Sequence, residues 1–246
     1  MPKSAPTFKP PSQTDRVLLA LRKMLLTGQF TAGERLTELG LVARLDASRT
    51  PVRHALTRLA HDGLLNALPK GGFRVCAFTL DEVWDAIELR GVLEGSAARL
   101  AAERLRRDSE LTRLREIQAE IDSRRPEGTS NFVGYLECNE AFHQELLRLS
   151  KSPMLIRTLD TVVRLPFAGP STLVFEGDSR EAARTADTAQ QQHHAIIEAL
   201  SERAGTRAEH MAREHARLAR VNLSRALADP ALFAQVPGAA LLQLGA

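Results

Sequence analysis

A chain of 246 residues with 43% hydrophobic and 26% charged positions can bury at least one full core, which excludes wholesale disorder and fits one large or two unequal domains. Two cysteines, Cys76 and Cys138, are too few for a disulfide framework and match no zinc spacing. With no run near the ~20 apolar residues of a bilayer span, the reading is a reduced cytoplasmic protein without a membrane partner. The formal charge of +3 hides a polarised chain: residues 1–80 carry 12 Lys and Arg against 5 Asp and Glu, net +7, leaving 21 against 25, net −4, for residues 81–246; a compact basic end points to a polyanion, nucleic acid first.

In chain order, residues 1–12 hold four prolines and are expected to form a flexible arm. Thr14 or Asp15 can cap a first helix whose apolar residues Val17, Leu18, Leu21, Met24 and Leu25 recur at helical spacing, with Gly28 ending it. A turn at Gly33 leads to a second helix over about 37–45, broken at Asp46-Ala47. The third has Ser48 as N-cap, Pro51 in its first turn and Val52, Ala55, Leu56 and Leu59 as the buried stripe, and Gly63 closes it. Leu64–Leu68 and Phe73–Ala77 flank Pro69-Lys70-Gly71-Gly72, which reads as a hairpin with a tight turn. Three helices and a hairpin over 13–78 predict a winged helix-turn-helix. Its third helix would offer Ser48, Arg49, Thr50, Arg53 and His54 to a major groove, and its wing Lys70, Gly71 and Gly72 to a minor groove or a phosphate run. Arg49 and Arg53 share a face, and sequence leaves open which of them reads a base and which clamps a phosphate.

From residue 79 helical patterns take over, at about 80–106, 108–125, 129–150, 153–168, 179–202 and 204–228. With 4% aromatics, Leu and Ala must fill a closely packed helical bundle over 79–230. Residues 231–246 read as a loosely held tail or a short added helix. The expected fold is therefore mainly α, with an N-terminal winged helix-turn-helix and a C-terminal all-helical effector-binding and dimerisation domain.

The run Gly33-Glu34-Arg35-Leu36, Leu41 through Leu45, Ser48 through Arg53, Gly63-Leu64 and Gly71 through Val75 resembles the DNA-binding domain of GntR-type bacterial transcription regulators. The resemblance implies a homodimer whose recognition helices address the halves of a palindromic operator on double-stranded DNA, with Arg35 joining Arg49 and Arg53 as contacts. The helical region resembles the effector domain of the fatty-acid-regulator-like (FCD) branch, in the subgroup that carries a divalent metal. There the resemblance implies Asn139, His143, His193 and His215 as ligands of Zn²⁺ or Ni²⁺.

Spacing bears on the choice of histidines. His193 shares a face with Ile196, Ile197 and Leu200, unlike His194; His215 aligns with Ala208, Met211, Leu218 and Ala219, whereas His210 aligns with Thr206, Arg213 and Glu214. The family often has Asp where this chain has Asn139, so one negative charge is missing beside the ion. Arg90, among apolar neighbours, needs an anion; spacing allows an ion pair with Glu94, and the resemblance allows an effector carboxylate, with Arg164 as a second anchor. The function expected is a repressor released from its operator by a small organic acid, an aromatic carboxylate among the classes considered. A metal-dependent hydrolase using Glu140 as base, and an architectural DNA-binding protein with no effector, are the alternatives.

Overall fold

The computed structural model describes residues 12–124, 129–172 and 180–244; all of the expected arm except Ser12, and positions 125 and 179 of two expected helices, lie outside them. The chain divides into two compact units, 12–78 with 240–243, and 79–239 with 244. Among the described residues no helix is long and apolar enough to cross a membrane.

In the first unit, α1 (Gln13–Leu26) starts two residues earlier than a Thr14 cap would allow and three earlier than an Asp15 cap would. Ser12 is the cap: its hydroxyl accepts from the Asp15 backbone N–H at 3.1 Å while the Asp15 carboxylate accepts from the Ser12 N–H at 3.1 Å. This reciprocal pairing satisfies donors that a helix start otherwise leaves open. β1 (Arg35–Leu36) precedes α2 (Glu38–Val42), which Thr37 caps through Gly40 N–H, and α3 (Arg49–His61) follows. Val52, Ala55, Leu56 and Leu59 of α3 are fully buried against Leu21 and Leu25 of α1. β2 (Leu65–Ala67) and β3 (Phe73–Val75) pair antiparallel, Leu65 opposite Val75 and Ala67 opposite Phe73, with Gly71 and Gly72 both at φ +84° in the turn. β1 adds a third strand, Leu36 opposite Phe73, which two residues of sequence are too short to announce.

The end of the chain corrects the expectation of a loose tail. Leu241 is fully buried in the same core as Leu21 and Leu56, the Ala32 N–H donates to the Ala240 carbonyl at 3.4 Å, and β5 (Leu242–Gln243) pairs with β4 (Phe78–Thr79). A segment this short shows no periodicity, so only the long-range core reveals why it is held.

The second unit opens with α4 (Leu80–Arg104), capped by a Thr79–Glu82 box. A 3₁₀ turn, α5 (Thr112–Ser123), α6 (Thr129–Leu149), α7 (Pro153–Val163), α8 (Arg180–Ser201), α9 (Gly205–Ala216), α10 (Leu218–Ala228) and α11 (Pro230–Phe233) follow. The helix expected over 153–168 stops at Val163, because Pro166 disfavours a helical residue before it and Phe167 then turns at φ +72°. The helix expected over 204–228 divides at Arg217, where the bonding tightens to Arg217 N–H on the Glu214 carbonyl at 3.1 Å. Close approach of α4 to α9 depends on two glycines. A Cβ on Gly91 would lie 3.1 Å from Ala216 Cβ, and one on Gly95 would lie 2.6 Å from Arg213 Cγ and 3.0 Å from the Glu209 carbonyl.

Leu241→Ala is expected to destabilise the chain by about 2–5 kcal/mol, the usual cost of emptying a leucine site in a packed core, read by urea denaturation; an unchanged midpoint would return residues 240–243 to a loose tail.

Candidate DNA-reading face and metal centre

On the first unit, Arg49, Thr50, Arg53 and His54 project from the first half of α3 into an open depression, joined by Thr57, Arg58, His61 and Glu38. Thr57, Arg58 and His61 continue the same helical face, one turn and more beyond the residues that sequence singles out. Arg53 is 73% exposed and lies 3.7 Å from Glu38, a separation that water screens. Ser48 occupies the N-cap position of α3, yet its side chain makes no capping hydrogen bond. Arg35 donates to the Gly71 carbonyl at 3.0 Å, which ties it to the wing tip beside exposed Lys70. A side chain at Gly72 would meet the Leu36 carbonyl at 2.9 Å, so that glycine is required by the sheet itself.

In the second unit three helices bring His143 (α6), His193 (α8) and His215 (α9) together, with a potential ligand atom of each within 4.8 Å of the others. His193 is fully buried and stacks on Phe142 at 3.8 Å between ring centroids. His194, by contrast, faces Asp122 at 3.1 Å on the surface, and His210 is exposed.

Each ring has an oxygen facing its Nδ1. His193 Nδ1 lies 3.0 Å from Gln118 Oε1, His215 Nδ1 3.2 Å from Gln192 Oε1, and His143 Nδ1 3.2 Å from Glu94 Oε1. Gln118 is itself fixed by donation to Asp122 and Gln190, each at 2.7 Å, and Gln190 donates to the Tyr135 hydroxyl at 3.0 Å. An acceptor at Nδ1 holds the proton there and makes Nε2 the lone-pair atom. His193 and His215 consequently turn two Nε2 atoms toward each other at 3.1 Å. Burial, with the neighbouring histidines His215 and His143, keeps His193 well below the usual imidazole range; burial first, then His143, pulls His215 down to about 3. Both rings are therefore neutral, the form that binds a metal.

Burial alone would raise the Glu94 carboxyl, but His143, Arg90 and His215 overcome it and hold the group at about 2. Glu94 is ionised. Arg90, 2% exposed, donates Nη2 to the Ala216 carbonyl at 3.0 Å, while its Nε and Nη1, together with Glu94 Oε1 and both nitrogens of His143, have no aligned hydrogen-bond partner. The Arg90–Glu94 ion pair that spacing allows does not form: no such pair lies within 4.0 Å among the described residues. Asn139 is buried and donates Nδ2 to Ser171 Oγ at 3.0 Å.

A cavity of about 420 Å³ reaches Glu94 and His143 between α6 and α7, with Leu147, Ile156, Leu159, Val163 and Pro170 on its walls and Arg157 at its edge. Arg164, expected as a second anchor, pairs with Asp160 at 2.5 Å; neither Arg164 nor Arg90 is among the residues lining this cavity. Glu140, which a hydrolase would use as its base, does line the cavity and accepts from Gln144 at 3.3 Å. Sequence reasoning missed Gln118, Gln192 and Arg157. Gln118 alone carries a signal, a glutamine inside the Leu114, Ile117, Ile121 stripe of α5.

Residues 13–75 match the bacterial regulatory proteins of the gntR family, and residues 85–218 match the FCD domain. The chain is 36% identical over 146 residues to the Nta operon transcriptional regulator of Aminobacter aminovorans, covering 59% of this chain and 68% of that protein. It is 30% identical over 183 residues to the HTH-type transcriptional regulator YdhC of Bacillus subtilis, covering 74% of this chain and 78% of that one. Among solved structures, that of McbR/YncC from E. coli superposes with a TM-score of 0.62 at 24% identity, covering 87% of this chain and 97% of that chain.

Because a ligand that binds only the folded state stabilises it, Zn²⁺ at 100 times its Kd should stabilise the chain by about 2.7 kcal/mol, seen as a rise in melting temperature. His193→Ala should abolish the rise; an equal rise in that variant would place zinc elsewhere.

Proposed function

Since this chain belongs to the gntR family of bacterial transcription regulators, in its FCD branch, we propose that its operator affinity is set by a small carboxylate received at a divalent-metal centre in the helical unit. One observation carries this reading: Arg90 Nε and Nη1 and His143 Nε2 are buried polar atoms without a hydrogen-bond partner. Each such atom costs about 1–3 kcal/mol when left unmade. A cation among the imidazoles and an anion on the guanidinium would satisfy both kinds of group together.

His143, His193 and His215 would hold the ion through their inward nitrogens, with Asn139 Oδ1 as an oxygen donor; this N₃O set suits Zn²⁺ or Ni²⁺. The ion supplies two positive charges and open positions for an oxygen ligand. Arg90 would offer Nε–H and Nη1–H, which lie on different sides of the guanidinium, as charge-assisted donors to the acid. Leu147, Ile156, Leu159 and Val163 would shelter the apolar body of the acid, and 420 Å³ fits an aromatic or short aliphatic one.

At the other end, Arg49, Thr50, Arg53 and His54 would enter the major groove from α3, and the Arg35-braced wing with Lys70, Gly71 and Gly72 would follow the adjacent backbone. A homodimer presents two such helices to a palindromic site. Release requires only that their spacing change. The coupling is reciprocal: an acid that weakens operator binding by some factor is itself bound more weakly, by the same factor, in the operator complex.

The test is fluorescence anisotropy of the purified chain on DNA from upstream of its own gene, at fixed salt, with Zn²⁺ and a panel of aromatic and hydroxy acids. Arg49→Ala should cost about 1–3 kcal/mol of operator affinity without altering zinc binding. Arg90→Ala should leave operator affinity intact and abolish the response to acid. A chain that prefers no fragment, or an Arg90→Ala variant that responds as before, contradicts the proposal.

A further inference from the structure

Three neutral imidazoles and an amide leave the +2 charge of a bound ion uncompensated in a buried place, where unbalanced charge is costly. The amide is Asn139. A carboxylate does lie beside one of the imidazoles: Glu94, from α4, is 3% exposed, and its Oε1 lies 3.2 Å from His143 Nδ1. Gly91 and Gly95 flank it on α4, and their missing side chains are what let that helix close on α9. The Nδ1 atoms of the other two histidines face neutral glutamine oxygens, Gln118 and Gln192. Among the described residues, then, one imidazole of the three is backed by an anion.

We propose that Glu94 supplies, through His143, the negative charge that the centre lacks at Asn139, so that the charge is carried on α4 instead of α6. Glu94 is a positioning residue here: its carboxylate facing His143 Nδ1 at 3.2 Å favours a proton on that nitrogen and raises the basicity of the one left for the ion. With one carboxylate against a dication and Arg90 nearby, the neighbourhood still carries a net positive charge for an incoming acid.

This inference rests on the metal reading above, and the experiment separates the two. Zn²⁺ affinity of the full chain is measured by competition with a chromophoric chelator for the wild type, Glu94→Gln, Glu94→Asp and Glu94→Gln/Asn139→Asp, with circular dichroism as the check on folding. Glu94→Gln should bind Zn²⁺ about 10- to 100-fold more weakly, the usual effect of losing a partner behind a ligand. Glu94→Asp should retain most of the affinity, and Asn139→Asp should restore it in the Glu94→Gln background. A loss that Asn139→Asp does not restore, or equal losses in Gln and Asp variants, would mark Glu94 as a packing residue and overturn the proposal. Wild-type affinity in Glu94→Gln would also overturn it while leaving the metal centre standing. Failure of the wild type to bind Zn²⁺ at all would remove the centre itself. Should Glu94→Gln not fold, Asn139→Asp alone must tighten Zn²⁺ binding, and no change there would count against the proposal.

Discussion

Two imidazole nitrogens 3.1 Å apart, each made a lone-pair acceptor by the group behind its ring, repel unless something positive lies between them. That constraint organises the helical unit. Gln118, tied to Asp122 and Gln190, forces His193 Nε2 inward; Gln192 does the same for His215. Phe142 stacked on His193 prevents the ring from turning away. A satisfied core histidine would point its lone pair at a donor. These point theirs at each other, inside a unit whose burial keeps both rings uncharged.

The arrangement is possible because the three histidines sit on helices whose spacing small residues set. Ala97, Ala98, Ala101 and Ala102 of α4 are all buried, and Gly91 and Gly95 allow α9 to lie against the same helix. Arg90 and Glu94 therefore reach the neighbourhood of His215 from one side, while α6 and α7 open an apolar cavity from the other. A bulkier α4 would hold α9 farther off and separate the guanidinium from His215.

Much of this is legible in the residues. The stripe Val52, Ala55, Leu56, Leu59 and the Gly71-Gly72 turn specify the winged fold through short-range periodicity, and the face of His193, apolar where that of His194 is not, picks the buried ring. What stays hidden depends on contacts across long stretches of chain. Leu241 looks like any leucine near a glycine until the core of the first unit takes it in. Gln118 is invisible as a partner of His193, 75 residues away. Arg164 shows the same limit at short range: four residues on from Asp160, it pairs with that aspartate at 2.5 Å, a contact the sequence reading does not consider. Spacing likewise favours a pair between Arg90 and Glu94 that does not form, because side chains four apart are free to turn toward different neighbours.

The account stands on three inward imidazole nitrogens, and X-ray absorption spectroscopy of the zinc-loaded chain reads them directly. Three histidine nitrogens at about 2.0–2.1 Å with one or more oxygen neighbours is the expected first shell. A spectrum fitted by one imidazole or none, at stoichiometric zinc, would contradict it.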